Sequence, residues 1–590
     1  MGPLWIPVSD NLSEWPAWPV PADRAPRRAL RVGIIADRFT ELAFQFEWVQ
    51  RVLTPENWRE ELGCGLDLIF VESAWSGSSG AWKYQLTGSK APSSELCLLV
   101  AEAKKRGIPT VFWNKEDPAH FDDFIDTASL FDWVYTTESA LLDKYRERLA
   151  HDRIGLLPFA AQQSIHNPIR PSKWSPQNLR GVAFAGTYFR HKYPERREQL
   201  GYLLDGAERA AQKEKTELDV FSRFASVDSN YVFPDEYQKL VLGELTYDQM
   251  LTAYRAYRVF LNVNSIPTSE SMCGRRVFEI EACGTPVVSA PTPAISNAFP
   301  DDTVSQAGNE VEAYNWTRSL LRSQELRDHL THLSQRQIWQ SHTYTVRVNQ
   351  VLSDVGLTDA LVTSPAVSAM ISTNRPHQLE HVFEQMTRQK GVNLELLVGC
   401  HGFVLDQAEK SAFESRFGQI NWVEIDADVP LGDCYNLLAG KAEGEVVAKI
   451  DDDDYYGEYY LSEQLAAMDY ADADVVGKAA HYMYLESRDA TVLRFPETEH
   501  KYRPFVSGPT IVAKRRVVLE NPFPPVLRGE DTGFLKKVSE SGGRIFSTSR
   551  FGFMQVRKSG STHTWDIDDL SILATGTLVA YGKALDHVIF

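Results

Sequence analysis

Short apolar runs that stop abruptly at a charged or amide side chain recur along the 590 residues, and no other feature constrains the fold as much. Arg31-Val-Gly-Ile-Ile-Ala36 stops at Asp37, and Leu66-Asp-Leu-Ile-Phe-Val71 stops at Glu72. Pro109-Thr-Val-Phe-Trp113 opens into Asn114-Lys115-Glu116-Asp117-Pro118, and Asp132-Trp-Val-Tyr-Thr136 is a fourth run. Apolar runs without polar alternation are strands buried on both faces, as parallel sheets require. Helical stretches of ~10 to 15 residues separate them, which predicts a doubly wound α/β domain over 31 to 165.

The pattern restarts twice. Asn167-Pro-Ile-Arg-Pro-Ser-Lys-Trp-Ser-Pro176 is a proline-rich seam. After it, Gly181-Val-Ala-Phe-Ala185, Leu218-Asp-Val-Phe221, Val259-Phe-Leu-Asn-Val263 and Pro286-Val-Val-Ser-Ala290 predict a second α/β domain over 166 to 357. A second seam, Thr358-Asp-Ala-Leu-Val-Thr-Ser-Pro365, leads to Val367-Ser-Ala-Met-Ile371, Leu394-Glu-Leu-Leu-Val398 and Val446-Val-Ala-Lys-Ile450, a third α/β unit over 358 to 590. Its end, from Leu570 to Phe590, reads as a packed terminal helix. Residues 1 to 30 form an arm in which Trp5, Trp15 and Trp18 sit among prolines, expected to pack across a domain surface.

Charge and cysteine content narrow the function. Lys and Arg number 61 against 79 Asp and Glu, a net charge of −18, which argues against a broad basic face for nucleic acid or anionic lipid. A local basic pocket for a phosphorylated small molecule remains open. The 6 cysteines contain no C-x-x-C pair, so neither a zinc module nor a disulfide frame is expected. No run of ~18 apolar residues and no signal peptide are present, so the expected location is cytoplasmic, with at most peripheral contact at the inner face of the membrane.

The last strand of the third unit runs straight into Asp451-Asp-Asp-Asp454, followed by Tyr455-Tyr456-Gly457. Like charges so close repel, and a divalent ion with oxygen ligands would neutralise them, with Asp451 and Asp453 on one side and Asp454 within reach. An exposed acidic loop is the plain alternative. Together with Val367 to Pro376, Gly529-Glu530-Asp531-Thr532 and His563-Thr564-Trp565, this strand end resembles a family 2 type glycosyltransferase domain with the GT-A (nucleotide-diphospho-sugar transferase) fold, over about 365 to 570. The resemblance implies that Asp451, Asp453, Asp454 and His563 hold Mn2+ or Mg2+ on the donor diphosphate. It implies Asp531 as the base for the acceptor hydroxyl, with Glu530 helping to hold the acceptor. Thr373, Arg375 and Asp452 are read as donor contacts. Where that family has Asp-Asp-Gly after its second strand, this chain has Gly399-Cys400-His401-Gly402, so the usual carboxylate contact to the nucleotide base is missing.

The first two domains also carry a resemblance. Glu72-Ser-Ala-Trp-Ser-Gly77, Phe112-Trp-Asn-Lys-Glu-Asp-Pro118, Phe184-Ala-Gly-Thr-Tyr188 and Arg275-Arg-Val-Phe-Glu279 with Ala282-Cys-Gly-Thr-Pro286 are similar to the CgeB-type spore-maturation glycosyltransferases of GT-B fold, two Rossmann-like domains over about 31 to 355. By that likeness Glu279 takes the donor ribose. Arg275 or Arg276 faces the diphosphate, and Gly186 and Thr187 present backbone N–H groups to it, with no metal. Glu116 and Asp117, just past a strand end, stand where an acceptor base would, although Asp117-Pro118 is also an ordinary turn. Glu72 and His120 are candidates to line the cleft. Family 4 relatives carry a second glutamate eight positions before Glu279, and this chain has Ser271 there.

The expectation is therefore a bifunctional glycosyltransferase, a GT-B module followed by a GT-A module, working on nucleotide-sugar donors. Its acceptor would be a growing bacterial surface glycan on a lipid or nucleotide carrier. Fusion would raise the local concentration of one product near the next site where the geometry permits. The alternative keeps one enzyme, the GT-A module, with the GT-B half a platform for acceptor or partner. A nicotinamide-dependent enzyme would need Gly-x-Gly-x-x-Gly after the first strand, which Gly33-Ile-Ile-Ala-Asp-Arg38 lacks.

Overall fold

The computed structural model describes residues 10–88, 91–223, 228–300, 303–526, 528–559 and 567–590. The chain divides into two compact units, Met1–Pro168 with Lys173–Val362, and Ile169–Ser172 with Thr363–Phe590.

The first unit holds two six-stranded sheets, each parallel throughout. β1 (Arg31–Ile35), β2 (Val49–Val52), β3 (Leu68–Glu72), β4 (Thr110–Asn114), β5 (Trp133–Thr136) and β6 (Ile154–Leu156) lie in the order β2-β1-β3-β4-β5-β6. β7 (Arg180–Ala185), β8 (Leu218–Phe221), β9 (Val241–Gly243), β10 (Tyr257–Asn262), β11 (Val287–Ser289) and β12 (Ser305–Gln306) lie in the order β12-β11-β10-β7-β8-β9. The chain reverses its direction of winding between β1 and β3, and again between β7 and β10. Open α/β sheets bind ligands outside the carboxyl ends of the strands at such a point.

Helices cover both sheets. α1 (Pro194–Lys213) begins with proline at its first position, where no N–H is needed. Leu200, Leu203, Leu204, Ala207, Ala210 and Ala211 recur at helical spacing and form its buried face. α2 (Arg275–Ala282) follows β10, and α3 (Glu310–Arg322) packs against α1. α4 (Tyr344–Asp354) buries Tyr344, Val348, Val351 and Leu352 among Phe44, Trp48, Phe70 and Trp113. This helix falls within 166 to 357 by sequence, yet its apolar face belongs to the core of the first sheet. The arm packs too: Trp15 lies 5.7 Å from the Phe221 ring, and the Arg255 guanidinium stands 3.8 Å over Trp18. Trp5 is outside the described residues.

The second unit is built on a mixed sheet. β13 (Val367–Thr373), β14 (Leu394–His401), β15 (Ile420–Ile425) and β16 (Val446–Ile450) are parallel to one another in the order β15-β14-β13-β16, so the reversal falls between β13 and β16. The sheet continues past β16 through an antiparallel partner, Val512–Lys514, and then Val475–Gly477, Ile545–Ser547 and Lys501–Tyr502. A separate five-stranded sheet includes His481–Leu485, Ala490–Arg494 and Phe553–Arg557. The terminal segment differs from the expected helix. It forms a short helix, Asp569–Thr575, and then the strand Gly576–Tyr581, which pairs antiparallel with Ala490–Arg494. Gly576 and Gly582 bracket a run, Thr577-Leu-Val-Ala-Tyr581, rich in strand-favouring side chains. Among the described residues no helix is long and apolar enough to cross a membrane.

The contact of α1 with α3 rests on Gly206, where a Cβ would lie 2.6 Å from the Glu310 carbonyl oxygen and 2.8 Å from the Tyr314 backbone nitrogen. Gly206→Ala should lower stability by about 1 to 3 kcal/mol through overpacking, despite alanine's better helix propensity. Gly201→Ala, in the same helix with only the Tyr237 hydroxyl at 4.0 Å, should raise it by about 0.5 to 1 kcal/mol. Chemical unfolding of the two variants checks the pair. An equal response would remove the close helix contact from the account.

Candidate functional site

In the second unit the reversal between β13 and β16 gathers the acidic run. Arg375, just past β13, forks onto two aspartates: its Nη1 donates to Asp453 Oδ2 at 2.8 Å, and its Nε and Nη2 both donate to Asp452. Thr373 Oγ1 donates to Asp452 and accepts the backbone N–H of Arg375 at 2.9 Å. Lys558 Nζ stands 3.8 Å from Asp453. Asp454 is 2% exposed, and its Oδ1 accepts the Val556 N–H. Burial, then the neighbouring Asp451 and Asp453 charges, push its carboxyl well above the usual range.

Lys449 ties this run to the expected base. It lies within the apolar strand β16, 3% exposed, with Nζ 3.4 Å from Asp451 Oδ1 and 2.9 Å from Asp531 Oδ2. Burial works against its charge, but Asp451 and Asp531 outweigh burial and hold its pKa well above the ordinary lysine value. Asp531 occupies the first turn of α5 (Glu530–Glu540), and its Oδ1 is buried with no hydrogen-bond partner among the described residues. A Cβ at Gly508 would collide with this carboxylate, so only glycine lets the Ser507–Pro509 turn close over it. Glu530 is 8% exposed, and burial followed by the Asp531 charge raises its pKa. His401 closes β14 with its Nε2 buried and unpartnered. His563, Thr564 and Trp565 lie outside the described residues.

Hard carboxylate oxygens at a strand end are the donor type that Mg2+ or Mn2+ takes, so Asp451, Asp453 and Asp454 fit such an ion by chemistry. The geometry adds that Arg375, Lys449 and Lys558 already offset much of their charge. Among the described residues no group of three or more His, Cys, Asp or Glu side chains is placed ready to hold a metal. Part of the repulsion in the acidic run is thus met by neighbouring cations, while Asp454 still carries the rest, its carboxyl pushed up by burial and by Asp451 and Asp453.

In the first unit, Glu279 is 1% exposed and both of its oxygens are engaged. Tyr247 OH donates to Oε1 at 2.9 Å, Tyr254 OH donates to Oε2 at 3.0 Å, and Arg275 Nε is 3.3 Å from Oε1. The Gln162 N–H donates to His166 Nδ1 at 3.0 Å, which makes Nε2 the protonated nitrogen facing Tyr247 OH at 2.9 Å. Burial pushes His166 down to about 4, so the ring is neutral at pH 7. Burial tends to raise Glu279, but Arg275, His166 and the two tyrosines outweigh it and keep the carboxyl below its ordinary value. Arg275 is also committed, its guanidinium 3.8 Å over the Phe39 ring, which lies 4.1 Å from Lys115 Nζ on its own account. The ribose and phosphate roles implied for Glu279 and Arg275 therefore meet side chains that satisfy each other. The Gly186 N–H is likewise taken, by the Phe221 carbonyl at 2.9 Å, so it is not offered to an anion.

Arg276 differs: it makes no ion pair among the described residues. Its charge acts on Arg196 and Arg223. Arg196 donates to the carbonyls of Thr187 and Val263 and to Ser265 Oγ.

The first sheet places Lys115 between Asp37 Oδ2 at 3.1 Å and Glu72 Oε1 at 2.9 Å, with Thr40 Oγ1 donating to Glu72. Glu72 is fully buried, so it braces the strand ends and does not line the cleft. Asp117 is fully buried as well, accepting from Asn114 Nδ2, Thr136 Oγ1 and Tyr145 OH at 2.9, 2.6 and 2.9 Å. Burial pushes it up to about 7. With every approach taken by a donor, Asp117 holds the loop and is not placed as an acceptor base. Glu116 is half-buried, its carboxylate acts on Lys115 and on Tyr193 of the second half, and it makes no ion pair among the described residues. His120 Nδ1 pairs with Asp123 Oδ2 at 2.7 Å beside the Trp75 ring. Ser271 accepts the Ser139 N–H at 2.8 Å and donates to the Thr137 carbonyl at 2.9 Å, pinning the two halves where family 4 has glutamate.

Residues 203–353 match the family described as glycosyl transferase-like, a stretch that contains β8 to β12, α2 and α3. The match covers about a quarter of the chain. Among solved structures it is similar to S. aureus TarS 1–349 in complex with UDP-GlcNAc, at 20% identity and a TM-score of 0.28, over 34% of this chain and 61% of that one. A second likeness is to the α,α-trehalose 6-phosphate synthase of Burkholderia multivorans, at 12% identity and a TM-score of 0.35, over 51% of this chain and 73% of that one. The chain thus spans about three fifths of the TarS fragment. No curated protein matches it.

Asp117→Asn separates bracing from catalysis. An amide cannot accept from three donors, so the variant should lose about 1 to 3 kcal/mol of stability, while any transfer by the folded fraction keeps its rate. Unfolding and single-turnover measurements on one preparation decide it. An intact midpoint with a rate loss of about 10² or more would make Asp117 the base after all.

Proposed function

We propose that the chain is a bifunctional glycosyltransferase, its first unit a GT-B module of CgeB type and its second a GT-A module of family 2 type, each using a nucleotide-sugar donor. The observation that carries this reading is the pair of independent switch-point sites with opposite charge. Between β13 and β16 stands an acidic cluster with a positioned aspartate, and between β7 and β10 stand Arg196 and Arg276, which make no ion pair among the described residues.

In the second unit Asp531 accepts the proton of the acceptor hydroxyl at Oδ1, the oxygen left without a partner, while Lys449 fixes Oδ2. The freed oxygen attacks the anomeric carbon, the bond to the donor diphosphate breaks, and a single displacement inverts the centre. Asp451, Asp453 and Asp454 would hold a divalent ion, which when bound neutralises the departing diphosphate. Arg375, paired with Asp452 and Asp453, would stand beside the same phosphates. In the first unit Glu116 is the base, and Arg276 stabilises the leaving diphosphate without metal. A growing surface glycan on a lipid or nucleotide carrier, met on the cytoplasmic side, is the acceptor class we assign.

A second reading is favoured by the engagement of Glu279 and by Ser271: the first unit binds acceptor or partner without catalysing. Activity on a panel of nucleotide sugars separates the two. Asp531→Asn and chelation should each abolish one transfer, the substitution by about 10² to 10⁴ in rate, and spare the other. Glu116→Gln should do the reverse. Near wild-type turnover in Asp531→Asn would make that residue structural, and the absence of any chelator-resistant transfer would favour the platform.

A further inference from the structure

Besides Lys449, a second and uncharged tie joins the acidic run to the surroundings of Asp531. It passes through Tyr456, two residues after the run. The Tyr456 hydroxyl accepts the Asp451 N–H at 3.0 Å and donates to the Pro509 carbonyl at 2.9 Å. Pro509 belongs to the Ser507–Pro509 turn, the one that closes over the Asp531 carboxylate at Gly508, where a Cβ would not fit. One phenol therefore stands between the backbone of the run and the backbone of the turn against the base.

The phenol is itself held firmly. Tyr456 is buried, its ring 5.0 Å from Tyr460 and 5.2 Å from Phe553, and Phe553 is also its partner across a two-residue antiparallel pairing. Its N–H donates to Gln385 Oε1 at 2.7 Å, and Gln385 Nε2 donates to the Asp454 carbonyl at 3.1 Å, so the same glutamine steadies the far end of the run. The turn has other anchors on its opposite side. Ser507 N–H donates to the Lys478 carbonyl at 2.9 Å, and Thr510 Oγ1 accepts the Lys478 N–H at 2.8 Å and donates to the Ser507 carbonyl at 2.7 Å. Losing the phenol would thus let the turn tilt without releasing it.

The two ties differ in kind. Lys449 acts through charge, and its hold on Asp451 and Asp531 changes with any cation or anion that enters. Tyr456 acts through neutral groups and backbone, so the spacing it sets stays the same when the site fills.

We propose that Tyr456 is a positioning residue for transfer in the second unit, its hydroxyl setting the separation between the diphosphate end of the site at Asp451 and the Asp531 carboxylate. The proposal rests on the reading of Asp531 as base and adds to it the group that fixes where that base stands.

Tyr456→Phe keeps the ring and its packing and removes both hydrogen bonds. A displacement of about 1 Å can cost about 10² in rate, so kcat of the chelator-sensitive transfer should fall about tenfold or more. The donor KM should stay within about twofold, since the carboxylates that serve the donor remain. Hydrogen exchange of the ligand-free full chain gives a readout independent of turnover: the Asp451 amide and those of Ser507 to Ile511 should exchange about tenfold faster or more. Gly508→Ala pushes the same turn away from Asp531 by another route. Combined with Tyr456→Phe it should lower kcat no further than the poorer single variant, because both act through one element.

Unchanged exchange, a KM that rises as far as kcat falls, or losses that multiply in the double variant would each overturn the positioning role. A Tyr456→Phe chain that does not fold, as thermal unfolding reports, would make the residue structural and overturn it too. If Gly508→Ala does not fold, exchange and the split between kcat and KM decide. Faster exchange in Tyr456→Phe together with near wild-type turnover in Asp531→Asn would leave the tie standing and sink the base reading. An inactive Asp531→Asn beside a Tyr456→Phe that turns over like wild type would do the reverse.

Discussion

Charge placed at the carboxyl ends of parallel strands has to be balanced where little water reaches, and the way each sheet meets that demand determines what its switch point can bind. The first sheet closes its account internally, Lys115 lying between Asp37 and Glu72. The mixed sheet carries an excess of carboxylate, only partly offset by Lys449 and Arg375. The second sheet has the opposite imbalance, since Glu279 takes up Arg275 and, among the described residues, Arg196 and Arg276 make no ion pair. The same structural motif, a strand end meeting a helix start, thus produces one closed brace, one site suited to a cation and one suited to an anion.

This difference gives the two units distinct chemical logic. Displacement at an anomeric carbon needs a base on one side and charge neutralisation on the other. On the proposed reading, Lys449 links the two functions in the second unit, because one ammonium group lies against both Asp531 and the start of the acidic run. On the proposed reading, the first unit divides these functions between its halves, Glu116 on the first sheet and the arginines on the second, and contacts such as Ser271 with Ser139 and Thr137 hold the halves together. A shared ammonium couples base and leaving-group site within one sheet, whereas the other arrangement depends on how closely its two halves meet.

The central strands were legible because burial on both faces writes continuous apolar runs, as in β1, β7, β13 and β16. The edge strands were not: β2 is Val-Gln-Arg-Val, partly exposed, and β12 is only Ser-Gln, so neither carries such a run. The five-stranded sheet was hidden for another reason, since His481–Leu485 finds its parallel partner at Phe553–Arg557, far along the chain. At the sites, residue types were readable and partnerships were not. Asp451 to Asp454 announce themselves, but Lys449 is buried inside an apolar strand. Arg275 and Arg276 look equivalent until one pairs with Glu279. Arg196 sits in Pro194-Glu-Arg-Arg197, which reads as a solvated helix start and becomes distinctive only when folded over Gly186.

The central claim is that one chain holds two diphosphate sites of opposite charge logic, one needing a divalent ion and one excluding the need for it. Calorimetric titration of the full chain with a nucleoside diphosphate, first in EDTA and then with excess Mn2+, measures this directly. The account predicts one site in EDTA and a second that appears only with the metal. A single site under both conditions, or binding that vanishes altogether in EDTA, would contradict it.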